Sequence, residues 1–383
     1  MRVLHITSGN QYGGVEVFLA TLVREASAAP GMEPDVAVCF EGRFSAELQG
    51  LGRPAHVLPS PRLSRPHTVL NARSALRDLL QRESYDVVVC HQPWACVMFA
   101  PIIRRAAFPV VMWVHMAGDG THWLERLCRF SRPDFAICNS RYTAARTSPW
   151  LANTQVEHVY CALSAAPPVL PTHRSLLRDE LETSANDLVI AQVSRLEAWK
   201  GHAVLLSALA ALRDLRGWTL WLVGGPQAAA QKRYLRDLQS LAVSYGIEHR
   251  VRFLGERRDV HAILAAADVF CQPNTSPEPF GLSLVEAQQA GLPIVTSAIG
   301  GALEVVDESC GVLTDPGDVG ALSSALQRLV LDRDLRTRLA TGARQRADQL
   351  CNAPRQIRRI EAVLATMLPR PRSMSNPVEA GLK

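Results

Sequence analysis

The sequence predicts an α/β fold: two doubly wound, Rossmann-like domains facing each other across a cleft. Three observations predict it. Short apolar runs alternate with segments of helical periodicity almost throughout the chain. The alternation stops at a proline cluster, AAPPVLPTHRS, and then restarts. The 383 residues exceed one ordinary core but suit two domains of about 150–200 residues each.

The elements follow in order. In the first half VLHIT, DVAVCF, DVVVC, VVMWVH and FAICNS read as buried strands, and VEVFLATLVREASA and LNARSALRDLLQRES read as helices. Pro167, Pro168 and Pro171 mark a linker or crossover. In the second half LVIAQVSRL, WTLWLVGG, RVRFLG, DVFCQPN, PIVTSA and GVLTD read as strands, with helices between them. The first domain is placed at residues 1–165 and the second at 186–350, with a last helix at about 353–368. The tail at 369–383 has no periodicity and reads as disordered. In paired open sheets, ligands bind beyond the carboxyl ends of the strands, so the cleft is the expected site.

Composition narrows the function. Basic residues number 41 and acidic ones 36, a net charge of +5 that calls for no nucleic-acid partner. No apolar run reaches the length of a membrane helix, and MRVLHITSG lacks the h-region of a signal peptide. The nine cysteines are scattered in apolar stretches, without zinc spacing, as expected of buried thiols in a reducing cytoplasm. Arg104-Arg105 and Arg126, Arg129 and Arg132 read as solvated faces without aromatic interleaving, compatible with contact to a membrane-bound acceptor.

The segment SPEPFGLSLVEAQQAGLPIVTS carries the densest chemistry. Pro277 and Pro279 stiffen an extended approach bearing Glu278. Phe280 follows, and Gly281 lets the backbone approach a ligand. A helix is expected to start at Leu282-Ser283, its N-terminus suited to a diphosphate. Glu286 falls about one turn into it. Glu278 can then accept sugar hydroxyls and Glu286 ribose hydroxyls. On spacing alone the two read equally well as a loop charge and a solvated helix residue.

Arg195 and Lys200, in VSRLEAWKGH, sit at a strand's carboxyl end. Two fixed cations there suit the charge that develops on a departing diphosphate. Gly13 and Gly14 follow the first strand and would bring backbone amides to phosphate or sugar. His115 ends VVMWVH and faces the expected cleft, with His91, Asp119, Asn139, Ser140 and Arg141 at comparable strand ends.

Together these words resemble the family 4 retaining glycosyltransferases of the GT-B fold. E-P-F-G-L-S-L-V-E resembles their E-x7-E motif, QYGGVE their glycine loop, and Arg195 with Lys200 their R-x4-K segment. VRFLGER, AADVFCQPN, IGGALEVV and GVLTDPGDVGAL agree in order. The resemblance covers about residues 1–365, more strongly in the second half. It implies transfer of a sugar from a nucleotide-diphosphate sugar, by default a uridine diphosphate sugar, to a hydroxyl acceptor with retention. It implies pyrophosphate contacts for Arg195 and Lys200, a place for His115 near the donor sugar, a nucleotide-side turn at Gly224, and a last helix that crosses back onto the first domain.

Absences sharpen the expectation. SGNQYGG is not the dinucleotide fingerprint, so a nicotinamide oxidoreductase is disfavoured. Asp332-Arg333-Asp334 is the one D-x-D, in a helical region ill suited to a metal-bound diphosphate. No metal and no cofactor are expected, the sugar nucleotide being the substrate. The alternatives are a hydrolysing sugar-nucleotide epimerase of the same fold and a non-catalytic sugar-nucleotide-binding protein. The expected place is cytoplasmic, or peripheral at the inner membrane.

Overall fold

The computed structural model describes residues 1–368, so the tail expectation lies outside the described residues. The first sheet contains β1 (Arg2–Thr7), β2 (Glu33–Val38), β3 (His56–Val57), β4 (Val87–His91), β5 (Val110–Val114), β6 (Phe135–Cys138) and β7 (Gln155–His158). Its order is β3-β2-β1-β4-β5-β6-β7, parallel throughout. The second contains β8 (Leu188–Val193), β9 (Trp218–Val223), β10 (Val251–Gly255), β11 (Val269–Gln272), β12 (Ile294–Ser297) and β13 (Gly311–Thr314). Its order is β10-β9-β8-β11-β12-β13, again parallel. The central strands are continuous apolar runs because helices cover both sheet faces.

Strand order reverses between β1 and β4 in the first sheet and between β8 and β11 in the second. At such a switch point the neighbouring loops diverge and leave a crevice. The loops after β1, β4 and β8, and after β11, carry Gly13-Gly14, the segment after His91, Arg195 to Lys200, and Glu278.

The proline-rich stretch is not all linker. Pro171–Glu180 is a helix, with Pro171 in its first turn, where a missing N–H costs nothing. Its Arg174 and Arg178 clamp Asp268 at 2.6 Å each, so the second unit begins well before residue 186. The helix Ala353–Ala365 returns to the first domain, where Ile357, Ile360 and Val363 join the core that holds Leu22 and Met32. All nine cysteines are buried and unpaired. Among the described residues, no helix is long and apolar enough to cross a membrane.

Candidate active site

The helix Leu282–Gln289 starts where expected. Gly281 precedes it at φ +100°, a conformation that strains any other residue, and a Cβ there would meet Leu284 Cδ1 at 2.8 Å. The turn holds Glu278 inward, with its side chain 11% exposed. Glu278 Oε2 accepts from Lys200 Nζ at 2.5 Å, Asn274 Nδ2 at 2.9 Å and Gln272 Nε2 at 3.3 Å. Three donors on one oxygen fix the carboxylate. Oε1 has no protein partner among the described residues, yet it is not sealed from solvent. It is the oxygen free to accept from a ligand.

Lys200 belongs to the short turn Ala198–Lys200, with its ammonium 4.0 Å from the centroid of the Trp199 ring. Sequence reasoning assigned Lys200 to the diphosphate and Glu278 to the sugar of one donor, without a contact between the two side chains. The structure brings the two side chains together as one buried ion pair. Arg195 stays at the surface, 2.9 Å from Glu197. Gly224 follows β9 and donates to Gly255 O at 2.8 Å.

Glu286 is half-buried and its carboxylate has no hydrogen-bond partner among the described residues. Loss of solvent pushes it up to about 7. Ser283 Oγ donates to Gln272 Oε1 at 3.1 Å. Phe280, expected among the donor-binding positions, turns its ring away from solvent. Its ring is buried and stacks on Tyr160 at 5.5 Å between centroids, so it braces the loop from behind.

Across the cleft, Gly13 N donates to Glu16 Oε2 at 3.0 Å, which shapes the glycine loop. A Cβ on Gly14 would lie 3.1 Å from Leu282 Cδ1, so glycine allows the two domains to approach here. Glu16 was missed in the sequence. It is buried, its carboxyl is raised to about 7 by desolvation, and the charge of Arg195 opposes that rise. Its signal was its place three residues into a helix after a glycine cap. His115 is buried beyond β5, and burial lowers its imidazole to about 3. His91 Nδ1 is 2.8 Å from His115 Nε2.

Glu304 reaches across to the first domain. Its carboxylate accepts from Arg141 N at 3.0 Å, Tyr142 N at 2.6 Å and Tyr160 OH at 3.0 Å. It thus caps the helix Arg141–Thr147 of the opposite domain. Ser140 Oγ adds a bond to Pro279 O at 2.6 Å. Asp332 caps the helix Arg333–Cys351 through Leu335 N at 2.8 Å, which accounts for the D-x-D. The helix Trp123–Ser131 corrects another expectation. Trp123, Leu127 and Phe130 are exposed on one face, and Arg126 and Arg129 are exposed among them.

Two parallel sheets with facing switch points, cations after one strand and a helix N-terminus after another define a GT-B glycosyltransferase. Comparison with known proteins agrees. Residues 12–166 match the family described as Glycosyltransferase Family 4, and residues 174–346 match Glycosyl transferases group 1. The lipopolysaccharide core biosynthesis glycosyltransferase LpsE of Rhizobium meliloti (strain 1021) is 30% identical over 89% of this chain and 92% of that protein. LpsD of the same organism is 28% identical over 89% of this chain and 92% of that one. The crystal structure of Anabaena Alr3699/HepE in complex with UDP-glucose superposes with a TM-score of 0.85, at 25% identity, over 96% of this chain and 100% of that one. The chain belongs to glycosyltransferase family 4.

Proposed function

We propose that this chain transfers a sugar from a uridine diphosphate sugar to a hydroxyl of a lipid-linked glycan, with retention and without a metal ion. The observation that carries the reading is the buried Lys200–Glu278 pair beside the N-terminus of Leu282–Gln289. Support comes from relatives named for lipopolysaccharide core synthesis and from a neighbour bound to UDP-glucose.

In this reading Glu286, lacking a partner of its own, accepts the ribose hydroxyls. The diphosphate lies over the helix start, between Arg195 and Lys200. Glu278 Oε1 accepts from the sugar while Oε2 holds Lys200 in place. The glycosidic C–O bond to the diphosphate breaks as the acceptor oxygen bonds on the same face. The departing phosphate oxygen takes the acceptor's proton. Two cations supply the charge that a metal would otherwise provide. The helix Trp123–Ser131 rests on an anionic lipid surface, its aromatic face inserted and its arginines on the headgroups.

Thermal shift with UDP, UDP-glucose and GDP-mannose tests the donor. A ligand at about 100 times its Kd stabilises the folded state by about 2.7 kcal/mol. A transition unmoved by every nucleotide ends the reading. Product anomeric configuration, read by NMR, tests retention. Donor turnover with and without acceptor separates transfer from hydrolysis. Sedimentation with vesicles of anionic phospholipid, comparing wild type with Phe130→Asp, tests the membrane face; equal binding of the two discards it.

A further inference from the structure

Three histidines from neighbouring strands form a chain of buried rings. His5 Nδ1 lies 3.0 Å from His91 Nε2, and His91 Nδ1 lies 2.8 Å from His115 Nε2. Trp113 stacks on His91 and His115 at 5.7 and 5.9 Å, with interplanar angles of 13° and 9°. Phe18 packs beside Trp113 at 4.8 Å. The rings therefore have little freedom to flip.

Three neutral imidazoles carry three N–H groups and three lone pairs. Burial lowers all three well below the ordinary histidine value, so neutrality holds at pH 7. The two hydrogen bonds use two N–H groups and two lone pairs. One N–H and one lone pair remain, at opposite ends of the chain. The His5 end is sealed: Nε2 is buried without a partner. The His115 end is different, because Nδ1 has no protein partner and is not among the sealed atoms. A sealed N–H without an acceptor is costlier and rarer than a bare acceptor. The lone pair therefore belongs at His5, and the proton at His115.

We propose that His5 and His91 are positioning residues that hold His115 in the Nδ1–H tautomer, so that it presents a fixed hydrogen-bond donor to the cleft. His5 Nδ1–H donates to His91, His91 Nδ1–H donates to His115, and His115 Nδ1–H is left for an oxygen of the bound donor sugar. That last step rests on the sugar-nucleotide reading above, together with the place near the donor sugar that the family resemblance implies for His115. The relay makes His115 a donor rather than a base, because its inward nitrogen is already occupied as an acceptor. Which ring nitrogen carries the proton is set by the hydrogen bond that the other makes, so the order is a product of the fold.

Nitrogen-15 NMR of histidine-labelled full-length protein at neutral pH tests the relay, with signals assigned from single variants. The expected result is an Nδ1–H tautomer at His5, His91 and His115. An Nε2–H tautomer at His115 overturns the proposal. In His5→Leu the order is lost, and His115 is expected to show both tautomers, with UDP release from UDP-glucose slowed about tenfold at little change in KM. In His5→Asn the side-chain amide N–H replaces the lost donor, and both the tautomer and the rate should recover. Recovery that fails in Asn as fully as in Leu, with both variants folded, refutes the relay. If His115→Ala releases UDP as fast as wild type while wild type shows the three Nδ1–H signals, the relay survives and the placement of His115 at the sugar fails.

Discussion

Lys200→Ala isolates the buried ion pair. Lys200 and Glu278 side chains are only 10% and 11% exposed, so the substitution strands a carboxylate in a poorly solvated place. Removing one partner of a buried pair typically costs about 3–5 kcal/mol. Here Asn274 and Gln272 still donate to the same oxygen, and Oε1 reaches solvent, so the low end applies: about 3 kcal/mol. For a domain of this size that corresponds to a Tm lowered by about 6–12 °C. Glu278→Gln in the same chain removes the stranded charge. The double variant should regain about half of the loss, a coupling that a double-mutant cycle measures. Urea denaturation followed by circular dichroism gives the four stabilities. A loss below about 1 kcal/mol for Lys200→Ala would place the pair among ordinary surface contacts and refute the reasoning.

Other perturbations reach other parts of the site. Glu286 is held up to about 7 by lost solvent, and binding hydroxyls favours its ionised form. UDP-glucose affinity should therefore rise as pH increases from 6 to 8 (about the span of that titration), and Glu286→Gln should flatten the profile in calorimetry. Glu304→Ala removes both caps and the Tyr160 bond, at an expected cost of about 2–3 kcal/mol, with a larger radius of gyration by X-ray scattering as the domains part. Gly14→Val puts branched carbon against Leu282 Cδ1, where even a Cβ would lie at 3.1 Å. Steady-state kinetics should show UDP-glucose turnover weakened by about tenfold or more.

The strands that sequence periodicity missed share one physical trait. β3 and β7 are the two edges of the first sheet, so each has one neighbour and a partly exposed face. The continuous apolar signal of a buried parallel strand is absent there. All six strands of the second sheet were legible, as was the start of the helix at Leu282. The direction of the Phe280 ring was not legible, because position in a motif does not tell which way a ring points. The Lys200–Glu278 pair was hidden for another reason: it joins residues 78 apart, and only the chain's return through β11 brings them together. The helix after Leu170 was concealed by prolines that stop most helices but start this one.

The return of Ala353–Ala365 to the first domain bears on how the molecule is made. Leu163 N bonds to Cys351 O at 3.0 Å, and Arg359 meets Glu157 at 3.0 Å. A nascent chain that has emerged only as far as Thr314 already contains every strand of both sheets among the described residues, yet not this helix. Until it leaves the ribosome, the apolar surface around Leu22 and Met32 lacks part of its cover and is open to chaperones or to other nascent chains. The domain translated first is the one completed last.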